Sequence, residues 1–171
     1  FYELYDDKEA CFLDALDVSM INVALPSIGA DLGMGTAGLQ WVVSGYVLGF
    51  GGLLLLGGRA ADLLGRRRVF LLALAAFALA SLLSGLTDHA GLLIATRFAK
   101  GVAAAFTAPT GLSIITTNFT EGPERNRAMS VYTVFGASGF SSGLIFGGVM
   151  TRLGWEWTFF FPVPFAAAAL V

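Results

Sequence analysis

Four stretches of this chain contain no charged residue over lengths that a folded soluble domain seldom leaves unbroken, and they limit the folds available to it. Leu32–Gly58 is uncharged for 27 residues, Val69–Leu86 for 18, Gly101–Thr120 for 20 and Ala128–Thr151 for 24. A helix needs about 20 predominantly apolar residues to cross the hydrocarbon of a bilayer. With 56% hydrophobic and 13% charged residues and a mean hydropathy of +0.76, the chain has more apolar side chain than one core of its size can hide. Lipid must cover much of it. An all-α membrane protein is the expected class.

The boundaries follow from what interrupts these runs. Helix two is expected at about 36–58, helix three at 69–87, helix four at 91–118 and helix five at 128–151. Glu121–Arg127 reads as a polar turn. The first span, about 12–30, is weaker: Val18–Ala30 is uncharged for only 13 residues, Pro26 and Gly29 should end or kink it, and six carboxylates crowd the first 17 positions. Residues 1–11 form an atypical leading segment that reads as no signal peptide. Trp157–Val171 is apolar but only 15 residues long, so helix six, about 156–171, is cut short. The expected architecture is a bundle of six transmembrane helices, organised as residues 12–171.

Arginine sets the orientation. Arg59, Arg66, Arg67, Arg68, Arg125 and Arg127 fall on one side, with Lys8, and Arg152 on the other. The richer side is cytoplasmic by the positive-inside rule. The chain is then a multi-pass protein of the cytoplasmic membrane with both ends of the segment inside. The densest cluster, Gly58–Arg68, reads as a loop pinned at the membrane surface.

Charge within the spans is the chemical signal. Arg97 and Lys100 lie three residues apart, on one face of helix four. They either turn inward to a partner or snorkel to the headgroups near the outer end. Asp17, at the edge of the first uncharged run, is the natural counterpart, and hydropathy alone leaves it either in helix one or in a solvated tail with Asp14. Glycine is the second signal: Gly139, Gly143 and Gly147 recur every fourth residue, followed by Gly148, and Gly45 and Gly49 repeat the spacing in helix two. Such spacing lets helices approach closely.

Other chemistry is excluded more readily. Cys11 is the single cysteine, so no internal disulfide or cysteine metal cluster forms. No metal or other cofactor is implied, no phosphate-binding loop appears, and Arg66–Arg68 is too short a run to indicate nucleic acid. Gly136–Gly139 is similar to the serine motif of rhomboid proteases, and Gly139–Gly143 matches G-x-S-x-G. Neither has a base in reach, since the lone His89 falls in an outer turn. An enzyme is not expected.

The residues do resemble a transporter family. Gly58, Asp62, Gly65 and Arg66–Arg68 stand where the major facilitator superfamily has its loop signature between helices two and three. Leu16–Pro26 resembles the first-helix signature of the fourteen-span drug:proton antiporter family, which puts Asp17 inside helix one. Arg97–Ala105 resembles the helix-four signature whose arginine is implicated in proton coupling. Gly136–Gly148 resembles the helix-five antiporter signature, and Gly154–Phe160 the start of helix six. Lys100 stands where the family usually has glutamine, Leu144 where it has proline, and Glu156 where it has arginine.

This resemblance implies the amino-terminal half of a major facilitator fold, built from two inverted three-helix repeats. It implies proton-coupled efflux of drug-like lipophilic or cationic molecules. Asp17 would carry the proton with Arg97 as its partner. Lys100 would add a cavity charge, Gly139, Gly143, Gly147 and Gly148 a sliding face, and residues 58–68 a conformational latch. The partners are lipid, protons, a small-molecule substrate, and a second six-helix half, either a carboxy-terminal part or a second copy. Two alternatives stand beside it: a non-transporting six-helix fragment, and a metabolite exporter or uniporter on the same fold.

Overall fold

Five helices in this computed structural model are long and apolar enough to cross a membrane: Ala10–Asp31 within α1 (Tyr2–Asp31), α2 (Thr36–Leu64), α3 (Arg66–Gly85), Ala90–Pro109 within α4 (Ala90–Asn118), and α5 (Pro123–Leu153). The structure describes residues 2–119 and 121–168. The sixth segment is broken into α6 (Trp157–Phe160) and α7 (Pro162–Ala168). Pro162 and Pro164 lack the N–H groups that would bond back to Thr158 and Phe160, which interrupts the ladder there. Residues 169–171 of the expected sixth helix lie outside the described residues.

Several boundaries differ from those expected. The leading segment is no separate unit, because α1 runs unbroken from Tyr2, and it continues five residues past Pro26 where an end or kink was expected. The loop expected over Gly58–Arg68 is almost entirely helical. α2 extends through Leu64, α3 starts at Arg66, and Gly65 alone makes the corner. At φ +92° and ψ 125° Gly65 occupies backbone space that side chains with a Cβ rarely enter. Likewise α5 begins at Pro123, inside the expected polar turn, because a proline at the first helical position loses no hydrogen bond there.

Glycine decides which helices touch. On α5, Gly139, Gly143 and Gly147 are buried against Phe12, Leu16 and Met20 of α1, each pair four residues further along. On α2, Gly45, Gly49 and Gly57 are buried in the same way against Ile94, Phe98 and Ala105 of α4. Both pairs run parallel, and in each the middle helix of one three-helix repeat lies against the first helix of the other. α1 and α4 meet antiparallel at the centre, with Ile28 and Leu93 sharing one apolar cluster. This is the packing of two inverted three-helix repeats, six segments in all.

Two apolar clusters occupy opposite ends. Ile21, Ala24, Ile28, Val42, Leu93, Trp155 and Phe159 fill one end, and Leu13, Phe70, Leu74 and Ala166 the other. Between them the bundle buries charge.

Candidate functional site

Asp14 and Asp17 sit three residues apart and so share a face of α1, turned toward α2 and α4. Asp17 lies seven residues inside the span that begins at Ala10, about 10 Å along the helix axis. Its carboxylate is 2% exposed, and Arg97 and Lys100 on α4 are 1% and 0% exposed. Arg97 Nη1 donates to Asp17 Oδ2 at 2.7 Å, and Lys100 Nζ donates to Asp17 Oδ1. Each oxygen of Asp17 therefore has its own cation.

The surroundings fix both cations. Arg97 Nε donates to the Val42 carbonyl at 3.4 Å, and its guanidinium carbon lies 4.8 Å from the centre of the Tyr46 ring. Lys100 Nζ is 4.6 Å from the centre of Phe77 and 5.3 Å from that of Phe159. A lone cation at this depth costs about 2.5–3.5 kcal/mol on insertion scales. A desolvated cation over an aromatic face recovers about 2 kcal/mol, and the shared carboxylate supplies more. Five segments thus converge on one ion cluster: α1, α2, α3, α4 and α6.

The alternatives that hydropathy left open are resolved here. Arg97 and Lys100 turn inward and do not snorkel to the headgroups. Asp17 belongs to helix one. Asp14, expected in a solvated tail, is instead a partly buried residue of α1 and accepts a 2.5 Å hydrogen bond from the Tyr46 hydroxyl. Counting the partly buried Asp14, two carboxylates and two cations meet here among the described residues.

Beside this cluster lies a cavity of about 360 Å³ among α1, α2, α4 and α5. Cys11 and Asp14 line it from α1, Tyr46 and Phe50 from α2, and Tyr132 and Phe140 from α5. A second cavity of about 440 Å³ shares Phe50, Ala108 and Tyr132 with it and reaches Gly58, Arg59 and Asp62. The two cavities share part of their wall, and the second lies toward the α2–α3 corner. At that corner Asp62 pairs with Arg66 at 3.6 Å across Gly65, and the carboxylate is 60% exposed. Arg67 and Arg68 are exposed in the first turn of α3.

Three members of the glycine face line the α1 contact, but Gly148 does not: a Cβ there would meet nothing within 4 Å. The 100° step per residue rotates it off the stripe made by its neighbours. The serines of the protease-like spacings bond within their own helix, Ser138 to the Phe135 carbonyl at 2.8 Å and Ser141 to that of Ala137 at 3.0 Å. His89 is exposed before α4.

Tyr46, Phe77 and Phe159 escaped the sequence reading. Tyr46 could have been found, since it lies between Gly45 and Gly49 on the side of α2 that closes on α4. Phe159 lies in the Gly154–Phe160 stretch but nothing there marks it as facing a cation, and nothing along the chain marks Phe77 among the fifteen phenylalanines.

Comparison with known proteins bears on the fold that carries this site. The family model described as Major Facilitator Superfamily matches residues 10–171. The puromycin resistance protein pur8 of Streptomyces alboniger is 46% identical over 95% of this chain and 32% of its own length. The cephamycin export protein CmcT of Amycolatopsis lactamdurans is 48% identical over 94% of this chain and 33% of its own. The chain thus spans about a third of the length of the curated relatives it matches. Among solved structures, a bacterial homologue of the human lysosomal transporter Spinster, in an inward-facing unoccupied conformation, superposes with a TM-score of 0.78 at 20% identity, covering 99% of this chain and 40% of the other. That likeness establishes the fold.

Proposed function

Because this chain belongs to the Major Facilitator Superfamily, a family of membrane transporters and not of enzymes, we propose that it forms one half of a carrier that exports drug-like lipophilic or cationic molecules in exchange for protons. The observation that carries this reading is the buried cluster of Asp17, Arg97 and Lys100 in the middle of the spans. Intramembrane charge is costly and is kept where it moves ions or substrates. Relatives named for antibiotic resistance and export support the substrate class.

In this reading Asp17 is the proton carrier. Arg97 is its electrostatic partner, and a proton at Asp17 weakens the attraction between α1 and α4, which coupling to substrate movement requires. The close α1–α5 contact at Gly139, Gly143 and Gly147 is the face along which the two repeats slide. Gly58, Asp62, Gly65 and Arg66–Arg68 latch the corner against the second half of the carrier. The arginine-rich end lies in the cytoplasm and the carrier in the cytoplasmic membrane.

The test is transport by the full-length carrier in vesicles with an imposed pH gradient. Efflux of a lipophilic cation should follow the gradient, and Asp17→Asn should abolish the coupling; no dependence on the gradient, or no effect of the substitution, overturns the proton claim. For the latch, Asp62→Asn should lower turnover severalfold while membrane insertion is unchanged, because an exposed pair contributes at most about 1 kcal/mol to stability. Unaltered turnover counts against it.

A second reading, export without proton coupling, is favoured by Lys100, which gives Asp17 a second cation, and by Leu144 in place of the proline of the helix-five signature. Transport indifferent to the gradient but dependent on Asp17 and Lys100 would select it.

A further inference from the structure

Tyr46 touches both the partly buried Asp14 and the fully buried ion cluster, and its side chain is itself only 6% exposed. At its far end the hydroxyl donates to Asp14 at 2.5 Å, the single hydrogen bond to that carboxylate among the described residues. At its near end the backbone lies against Gly101 of α4, where a Cβ would overlap the Tyr46 carbonyl. The ring is therefore held at both ends, with Phe50 parallel to it at 6.3 Å. The Arg97 guanidinium sits over this ring, 4.8 Å from its centre. Val42, one turn earlier on α2, accepts from Arg97 Nε at 3.4 Å. α2 thus fixes Arg97 at two points, and Arg97 Nη1 in turn donates to Asp17 at 2.7 Å.

These contacts close a circuit. Asp14 and Asp17 stand one turn apart on α1, and the route between them runs through the Tyr46 hydroxyl, the Tyr46 ring and the guanidinium. A phenol that donates to an ionised carboxylate makes a charge-assisted bond, and groups bonded in series polarise one another in a low dielectric. The ring face then becomes more negative, and that face is what draws a guanidinium. A proton on Asp14 weakens the pull and leaves Arg97 more fully to Asp17. The other titratable groups nearby are Lys100 on α4, bonded to Asp17, and Cys11 of α1 and Tyr132 of α5, which line the cavity. α3 and α6 present Phe77 and Phe159, which carry no charge.

We propose that Tyr46 is a positioning residue that couples the two carboxylates of α1: its hydroxyl senses the charge of Asp14, and its ring passes that state to Arg97 and so to Asp17. The consequence, that proton exchange at Asp17 answers to Asp14, rests on the reading of Asp17 as the proton carrier. The coupling itself is tested without it.

The test is a set of double-mutant cycles read by thermal unfolding of the full-length carrier in detergent. Tyr46→Phe keeps the ring and removes the hydroxyl, which does not touch Asp17. Substitutions without a contact or a shared partner act additively. Through the circuit they do not: the fall in Tm caused by Tyr46→Phe should shrink to less than about half once Asp17→Asn is present. Arg97→Lys keeps the charge but loses the planar group that stacks on a ring, and in that background the two substitutions should become additive. A direct charge effect between the carboxylates would survive Arg97→Lys, and packing alone would be additive throughout; either result overturns the proposal. Should Tyr46→Phe fail to fold, Asp14→Asn breaks the same bond from its other end and takes its place in the cycle.

A pH profile adds a readout that packing does not move. In vesicles with an imposed gradient, the pH of half-maximal efflux should move by about half a unit or more in Tyr46→Phe. Asp14→Asn should move it too, and the double variant no further than Asp14→Asn alone. An unmoved profile in Tyr46→Phe overturns the coupling. If gradient-driven efflux is absent, the proton reading fails and the cycles still decide on Tyr46; if efflux follows the gradient and the cycles are additive, the coupling fails alone.

Discussion

Asp17 shows how far one residue can be understood from local sequence and where that stops. Its position before an uncharged run leaves it in helix one or in a solvated tail, and only the resemblance of Leu16–Pro26 to a known signature points to helix one. Its two partners lie 80 and 83 residues away, and no spacing rule connects them to it. Breaking a buried ion cluster by removing one member leaves the other charges uncompensated, typically at about 3–5 kcal/mol. Asp17→Asn should therefore lower the unfolding midpoint of the detergent-solubilised protein markedly. Lys100→Gln should cost less, because Arg97 and Asp17 still pair, and adding Lys100→Gln to Asp17→Asn should recover part of the loss. A single substitution at Asp17 with no thermal shift would show that the cluster contributes nothing to stability.

At the scale of the helices, the glycine spacing was legible and its consequence was nearly so. The fourfold repeat at Gly139, Gly143 and Gly147 announced a close contact, but not that α1 is the helix in contact. A Cβ at Gly143 would overlap the Ser19 hydroxyl and the Leu16 carbonyl, whereas one at Gly148 meets nothing. Gly143→Ala should destabilise by about 1–3 kcal/mol, as overpacking does. Gly148→Ala should stay within about 0.5 kcal/mol, as at open sites. Thermal melting of the two variants side by side reads the contrast, and similar losses in both would contradict the α1–α5 contact. The α2–α3 connection was misjudged for a related reason: a cluster of arginines reads as loop, yet Gly65 alone can turn the chain, so the charges continue in helix on either side.

For the whole molecule, apolar surface remains where a folded soluble protein would cover it. Leu55 is 89% exposed and Ile145 69%. In the proposed reading, a second half of the carrier supplies the wall opposite these helices. The 171-residue chain alone in vesicles should move no substrate, and the same chain joined to the remaining two thirds of its relatives' length should transport. Uptake by the isolated chain would mean that a second copy supplies the missing wall.

The sequence by itself determined the class: uncharged runs long enough to span lipid, and a set of motifs sufficient to indicate the family. These depend on composition and on periodicity along single segments, which local chain geometry translates directly. The tertiary structure alone decided that Lys100 shares Asp17 with Arg97, that Asp14 faces a cavity and Tyr46 instead of solvent, and that Phe77 and Phe159 enclose a cation. Those outcomes are choices of partner between segments far apart in the chain. Helical periodicity says which face a residue occupies, but only the packing of one helix against another says what that face meets.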